Sequence, residues 1–384
     1  MKIAIDLLWV RVNKVGGTEH FVRNLLEGIS LDSREISFVL LVASDNADSF
    51  KKYLKDKRFS MLVAPVDSEN LMMRLIWQNT LEYSWLKKYG INHCYQPTLF
   101  RPLLGGGVDT ISTVHDIQPY HYPQYHPKYE VIYSKWCWIA TKFFSKKTVA
   151  ISQFVKDELT GIYHFDKKKV EVIPNPILVE RPEKGTFELL SGKYGIEKKE
   201  YYYTISQLLP HKNLKVLIDV FEQICDNDIL LPRKLVISGG HGNKKDELLT
   251  LIKEKHLSDC VILTDYLTVE EKFSMIDNCK DFLFPSIYEG FGMPPVEAMM
   301  LSADVITTKC ASIPEVTQNL ATYVENPYDV NEWIEKMLES DAVTEESKTN
   351  DSIKIEGERF DGSIYDKKTI ATRYLDLFES TWQK

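Results

Sequence analysis

No stretch of this 384-residue chain approaches the roughly twenty consecutive apolar residues that a bilayer-spanning helix needs, so no membrane span is expected. The amino-terminal MKIAIDLLWV has a short apolar run that includes Asp6, and it reads as a first strand, not as a signal peptide. Six cysteines, Cys94, Cys137, Cys225, Cys260, Cys279 and Cys310, are scattered with no C-x-x-C pair. Neither a zinc site nor a disulfide framework is indicated, and a reduced compartment fits. Positive charge is not in excess: 47 Lys and Arg against 55 Asp and Glu give a formal charge of −8. That argues against nucleic acid as the main partner, because neutralising phosphates calls for concentrated Lys and Arg, although a local basic pocket stays open.

What is present is ordinary globular composition, 44% hydrophobic and 27% charged, at a length above the usual single-core size, so two domains are expected. Apolar runs rich in Val and Ile alternate with helix-period stretches. KIAIDLL, ISFVLLVAS, FSMLVAPV, DTISTVHD, KTVAIS and VEVIPN come first; YYYTIS, KLVISGG, CVILTD, DFLFPS and DVITTK follow. Strand alternating with helix implies parallel sheets, hence an α/β fold of two doubly wound halves. The proline-rich IPNPILVERPEKGTF interrupts the pattern and places a boundary near 174–184, giving domains at 1–178 and 179–365. Residues 340–358 are acidic and weakly periodic and read as a surface excursion; 366–384 read as an amphipathic helix expected to return to the first domain. Ligands bind at the carboxyl ends of parallel strands, so a cleft between the halves is the expected site.

The stretch FPSIYEGFGMPPVEAMM, Phe284 to Met300, carries the most specific chemistry. DFLFPS reads as a buried strand ended by Pro285, which puts Glu289 just past its carboxyl end. Gly290 and Gly292 permit a tight turn, and proline suits a first helical turn, so a helix is expected to start near Pro294. Glu297 then lies in its first turns. Two carboxylates flank free N–H groups and a helix dipole, which together make an anion site between two acceptors. The plain alternative is a dipole-complementing Glu297 and a solvated Glu289.

PSIYEGFGMPPVEAM resembles the signature of the family 4 glycosyltransferases, Glu, seven residues, Glu. VGGTEHFVRNLL, TVHD, AISQFVKDEL, PNP and LLPHKNL stand in the order that family shows. The resemblance covers nearly the whole chain and implies the GT-B architecture, two Rossmann-like domains facing across a cleft. It implies a nucleotide-sugar-dependent hexosyltransferase that retains anomeric configuration, uses no metal and no cofactor, and transfers to a glycan or lipid-linked acceptor in cell-surface polysaccharide assembly. The implied location is the cytoplasm, with peripheral contact at the inner membrane face if the acceptor is lipid-linked; oligomeric state is not indicated. A GT-B epimerase or hydrolase and an inactive binding module are the alternatives. LSADVITT, where the family more often has Gly and Pro, favours the last.

By the same resemblance His115 lies beside the donor sugar, Glu289 contacts sugar hydroxyls, and Lys212 meets the diphosphate. The N–H groups of Gly290, Phe291, Gly292 and Met293 approach sugar and phosphate, and Glu297 accepts the ribose hydroxyls. A sugar–diphosphate bond leaves negative charge that needs a cation or dipoles. The D-N-D of Asp226–Asp228 lies on the wrong side of a strand for a metal site, so Lys212 is the natural counter-charge. The family usually has an arginine where this chain has Gln207; Arg74 or Arg101 is a substitute to consider. Gly16 and Gly17, between a strand and a helix opened by Thr18 and Glu19, let N–H groups approach a phosphate or the reacting centre.

One more segment, KYEVIYSKWCWIATKFFSKK from Lys128 to Lys147, packs five lysines among Trp136, Trp138, Phe143 and Phe144. It reads either as a helix resting on a membrane surface or as a core helix with snorkelling lysines.

Overall fold

The computed structural model describes residues 1–12, 14, 16–99, 107–227, 229–239, 245–264, 266–349 and 359–382, with side chains given up to 342 in the helix that ends at 349. The chain forms two compact units, Met1–Ile177 with Ser363–Lys384, and Leu178–Gly362.

The first unit holds β1 (Lys2–Asp6), β2 (Ser37–Val42), β3 (Phe59–Val63), β4 (His93–Gln96), β5 (Asp109–Val114), β6 (Lys147–Ala150) and β7 (Val170–Val172). Among the described residues they make one seven-stranded sheet in the order β3-β2-β1-β4-β5-β6-β7, and every pairing is parallel. Central strands here are buried on both faces, which is why they read as near-continuous apolar runs. Ile3 and Ile5 face Phe21, Leu25 and Tyr374, whereas Ala4 faces Trp77, Tyr83 and Leu86. Strand β4, HCYQ, was not among the expected strands; it inserts between β1 and β5 with Ala4 opposite Cys94 and Tyr95 opposite Ile111.

Helix Lys367–Trp382 packs along helix Gly17–Ser30 of the same unit. The approach is close enough that a Cβ on Gly28 would lie 2.1 Å from the carbonyl oxygen of Lys367, so only glycine fits there. Tyr374 meets Tyr95 edge to face and Phe378 meets it at a tilt, at ring distances of 5.4 and 5.2 Å, and they complete that core.

The second unit holds β8 (Tyr202–Ile205), β9 (Leu235–Ser238), β10 (Val261–Thr264), β11 (Asp281–Phe284), β12 (Asp304–Thr308) and β13 (Thr322–Val324), in the order β10-β9-β8-β11-β12-β13, again all parallel. Strand β13 was also not expected. The acidic stretch from 340 begins inside helix Val330–Thr349, where the sequence suggested a surface excursion. Ser340 donates to Asp281 at 2.7 Å and Lys280 pairs with Asp341, so contacts to the start of β11 hold the helix where its own periodicity is weak.

Both sheets reverse strand order once, between β1 and β4 and between β8 and β11. At such a reversal the connections leave to opposite faces and a crevice opens at the strands' carboxyl ends. Each unit is thus a Rossmann-type α/β layer structure, as the strand–helix alternation implied. The six cysteines are free thiols, and Cys225 and Cys260, apart in sequence, approach to 3.1 Å. Among the described residues no helix is long and apolar enough to cross a membrane.

Candidate active site

In the second unit the two strands at the reversal deliver the candidate residues to one place. Beyond β8 the chain makes a single turn over Pro210–Lys212, and Asn213, at φ 51°, turns it into helix Leu214–Asp226. Its amide anchors that bend by donating to the Pro327 carbonyl at 2.8 Å. Beyond β11 the segment Ser286–Phe291 is braced from both sides. The N–H of Ile287 donates to the His211 carbonyl at 2.9 Å, and the Ser286 hydroxyl lies 3.2 Å from the same oxygen. Thr308 donates to the Ser286 carbonyl at 2.5 Å, and the Ser312 hydroxyl lies 2.9 and 3.1 Å from the carbonyls of Glu289 and Phe291. Ser286, Thr308 and Ser312 are fully buried.

These tethers set Lys212 against Glu289, Nζ to Oε1 at 2.5 Å, with both side chains largely buried. The ammonium also sits 6.0 Å from the centre of the Phe284 ring. Gly292 takes φ 86°, a region closed to most residues, and opens helix Met293–Met300 with Pro294 in its first turn, one residue earlier than expected. Proline there loses no intrahelical bond, and the Met293 N–H is one of the first-turn groups with no helical acceptor.

Glu297 sits one turn into that helix and is 7% exposed. Its Oε1 is 2.8 Å from Nζ of Lys272, on helix Val269–Asn278. Lys272 was not singled out in the sequence. One signal was there: a lysine in the first turn of a helix opposes the macrodipole and calls for another reason to be present. Gln207 is exposed, its carbonyl accepting from the Leu209 N–H at 2.9 Å. Of the two arginines considered in its place, Arg101 lies outside the described residues. Arg74 is buried in the first unit beside Asp6, whose carboxyl burial raises to about 6 against the pull of that guanidinium. Asp226 ends helix Leu214–Asp226 ahead of β9, and Asp228 is outside the described residues. Among the described residues no three His, Cys, Asp or Glu side chains gather as a metal site. A groove of about 630 Å³ at the opposite, amino ends of this sheet mixes Lys199, Arg233 and Lys280 with Asp304 and Asp341 and involves none of these residues.

The first unit carries His115, Gly16 and Gly17. Gly16, at φ 73° and ψ −134°, makes the turn into helix Gly17–Ser30, and its carbonyl accepts from the Glu19 and His20 N–H groups at 3.0 and 3.2 Å. Glu19 is buried and bonded by Arg23 at 2.8 and 2.9 Å, so it serves its own helix. His115 follows β5 and meets Phe21 of the Gly17 helix edge to face at 4.9 Å, which sets it beside the glycine turn. Its Nε2 is 2.7 Å from the Pro97 carbonyl. A carbonyl only accepts, so Nε2 carries the proton and Nδ1 is left as an acceptor. Burial holds the imidazole down to about 4, so it is neutral near pH 7.

Two family profiles match this chain in tandem: Glycosyltransferase Family 4 over residues 15–181 and Glycosyl transferases group 1 over residues 186–357. The chain belongs to the family 4 glycosyltransferases. It is similar to O-antigen chain mannosyltransferase B of Escherichia coli, 25% identical over 232 residues and 60% of each chain. It is also similar to the O-antigen chain mannosyltransferase RfbU of Salmonella typhimurium, 29% identical over 221 residues and 58% of each chain. The matched stretch thus spans about three fifths of these curated relatives. Among solved structures, sucrose-phosphate synthase of Thermosynechococcus elongatus superposes with a TM-score of 0.72 at 15% identity, over 100% of this chain and 99% of that one. HepE of Anabaena, solved with UDP, gives 0.67 at 16% identity over 99% of each chain. These likenesses establish the GT-B fold of this family 4 member.

The His115 environment generates a pH dependence. Its folded value lies below the ordinary 6.5, so the unfolded chain binds a proton that the folded one refuses. This component of stability is complete above about pH 6.5, is lost as pH falls toward 4, and is flat below. Denaturant unfolding of wild type and His115→Gln across that range should give a difference that shrinks with falling pH. A constant difference contradicts the assignment.

Proposed function

We propose that this protein is a retaining, metal-independent hexosyltransferase that moves a sugar from a nucleoside diphosphate to a glycan or lipid-linked acceptor in polysaccharide assembly. The observation that carries it is the Lys212–Glu289 pair at the β8/β11 reversal, beside the amino terminus of helix Met293–Met300. Two relatives named as O-antigen mannosyltransferases support polysaccharide assembly, and they make mannosyl the first sugar to test.

In this reading the donor diphosphate replaces Glu289 as the partner of Lys212. An ammonium held among buried groups stabilises charge that grows as the bond breaks, without solvent reorganisation. Glu289, released from the lysine, turns to the sugar hydroxyls as positive charge develops at the anomeric carbon. The N–H groups from Gly290 to Met293 meet sugar and phosphate, Glu297 takes the ribose hydroxyls, and His115 offers a neutral Nδ1 to a sugar hydroxyl. Gly16 and Gly17 provide close backbone approach, and Gln207 leaves the diphosphate with one cation fewer than the family usually supplies. The bond between the anomeric carbon and phosphate oxygen breaks and the acceptor oxygen bonds to the same face. The acceptor proton passes to the leaving phosphate oxygen.

Lys212→Ala should lower turnover by about 2 to 4 kcal/mol of barrier, beyond its effect on donor affinity. Glu289→Gln should lower turnover roughly tenfold to a thousandfold without weakening nucleoside diphosphate binding, because the neutral amide no longer competes for Lys212. Assays with GDP-mannose and UDP-glucose in EDTA should retain full rate. Unchanged turnover in both variants, or a strict requirement for Mg or Mn, contradicts the proposal.

The lipid side of the proposal rests on helix Lys128–Phe144. Trp138 is fully buried, but Ile132, Trp136, Ile139 and Phe143 are exposed at spacings of four, three and four, one outward stripe. Lys128 and Lys135 are exposed along its border. Helix Leu71–Thr80 of the same unit exposes Met72, Met73 and Ile76. An apolar stripe bordered by lysines suits an anionic lipid surface. The protein should sediment with anionic vesicles at low salt, and Trp136→Ser with Phe143→Ser should release it. Absence of vesicle binding at low salt removes the membrane part of the proposal.

A further inference from the structure

We infer that Lys272 is a positioning residue for nucleoside recognition: it holds one oxygen of Glu297 so that the other faces the ribose hydroxyls of the bound nucleotide. The inference rests on the reading of the second unit as the donor site and adds a residue to it.

Glu297 is nearly buried, and a carboxylate taken out of water is costly unless it is paired. Lys272 is the one side chain among the described residues that bonds to it, at 2.8 Å through Oε1 alone. The lysine is itself fixed. Its helix is started by a reciprocal cap, with the Glu271 N–H donating to the Thr268 hydroxyl at 3.1 Å and the Thr268 N–H to Glu271 at 2.8 Å. The ammonium also lies 4.3 Å from the centre of the buried Phe273 ring. A cation in this first turn works against the helix dipole, so helix stability does not account for it.

The two lysine–glutamate pairs then differ in fate. A diphosphate competes for Lys212 because it is an anion. Ribose hydroxyls are neutral and do not compete for an ammonium, so the Lys272–Glu297 pair persists when the nucleotide binds. Glu297 Oε2 is left to accept from the ribose in a fixed orientation. Without Lys272 the carboxyl would swing toward water, and a directed acceptor would be lost.

The test compares GDP or UDP, whichever the wild-type protein binds, with its 2′,3′-dideoxy counterpart by calorimetry on the full chain. Wild type should prefer the ribonucleotide by roughly ten- to a hundredfold, the scale of hydrogen bonds to a charged acceptor. Lys272→Met should bring that ratio close to one while leaving dideoxynucleotide affinity unchanged, and Lys272→Arg should keep most of it. A Lys272→Met protein that keeps the wild-type ratio, or weakens both ligands equally, overturns the inference and leaves the donor site standing. If wild type binds neither nucleotide, or does not distinguish the two sugars, the donor-site reading falls as well. Lys272→Gln is the second variant should Met impair folding, checked by circular dichroism, with the same outcomes.

Discussion

The carbonyl oxygen of His211 accepts from the N–H of Ile287, with the Ser286 hydroxyl at its side, and this contact ties the chain leaving β8 to the chain leaving β11. Without it the residues on either side would sit on two independent loops. With it, Lys212 follows His211 directly and Glu289 follows Ile287 by two, so the pairing of their charges at 2.5 Å is a consequence of backbone geometry. Buried Ser312 and Thr308 finish the arrangement from the side of β12. Hydroxyls in such positions satisfy carbonyls that a loop could not otherwise bury. The site is therefore rigid in its backbone and adjustable in its side-chain charges.

Those charges are balanced twice over in the structure, Lys212 by Glu289 and Lys272 by Glu297. A buried lysine–glutamate pair is weak evidence for stability, because desolvation offsets much of the attraction. Its value in a binding site is different. An anionic ligand can take over one lysine without leaving an uncompensated buried charge, provided the displaced glutamate finds hydroxyls. A nucleotide sugar offers both groups on one molecule, which is why two such pairs at the ends of one glycine- and proline-rich segment fit that ligand class.

Much of this was legible in the sequence because buried parallel strands announce themselves as Val- and Ile-rich runs, and because Gly292 and Pro294 constrain the backbone whatever surrounds them. Strand β4 was not legible: HCYQ has only Cys94 and Tyr95 as apolar residues, and its place depends on β1 and β5 on either side and on His93 stacking with Trp382 at 5.0 Å. That strand lies next to β1 at the strand-order reversal of the first unit. The helix through 340 was hidden for a similar reason, since contacts to Asp281 and Lys280 hold it. Lys272 is distant in sequence from Glu297, and nothing local in the EEK triplet names its partner. The aromatic cluster near residue 136 could be seen but not divided, and only the helix phase separates buried Trp138 from exposed Trp136.

The central claim is that the braced segment from Glu289 to Glu297 receives the nucleotide sugar. Amide hydrogen exchange of the full chain, with and without saturating GDP-mannose or UDP-glucose, tests it most directly. The account predicts that the donor which binds will slow exchange at Gly290–Met293 and around Lys212, and will leave the amino ends of the same sheet unchanged. Protection confined to another surface, or none with any nucleotide that calorimetry shows to bind, would contradict it.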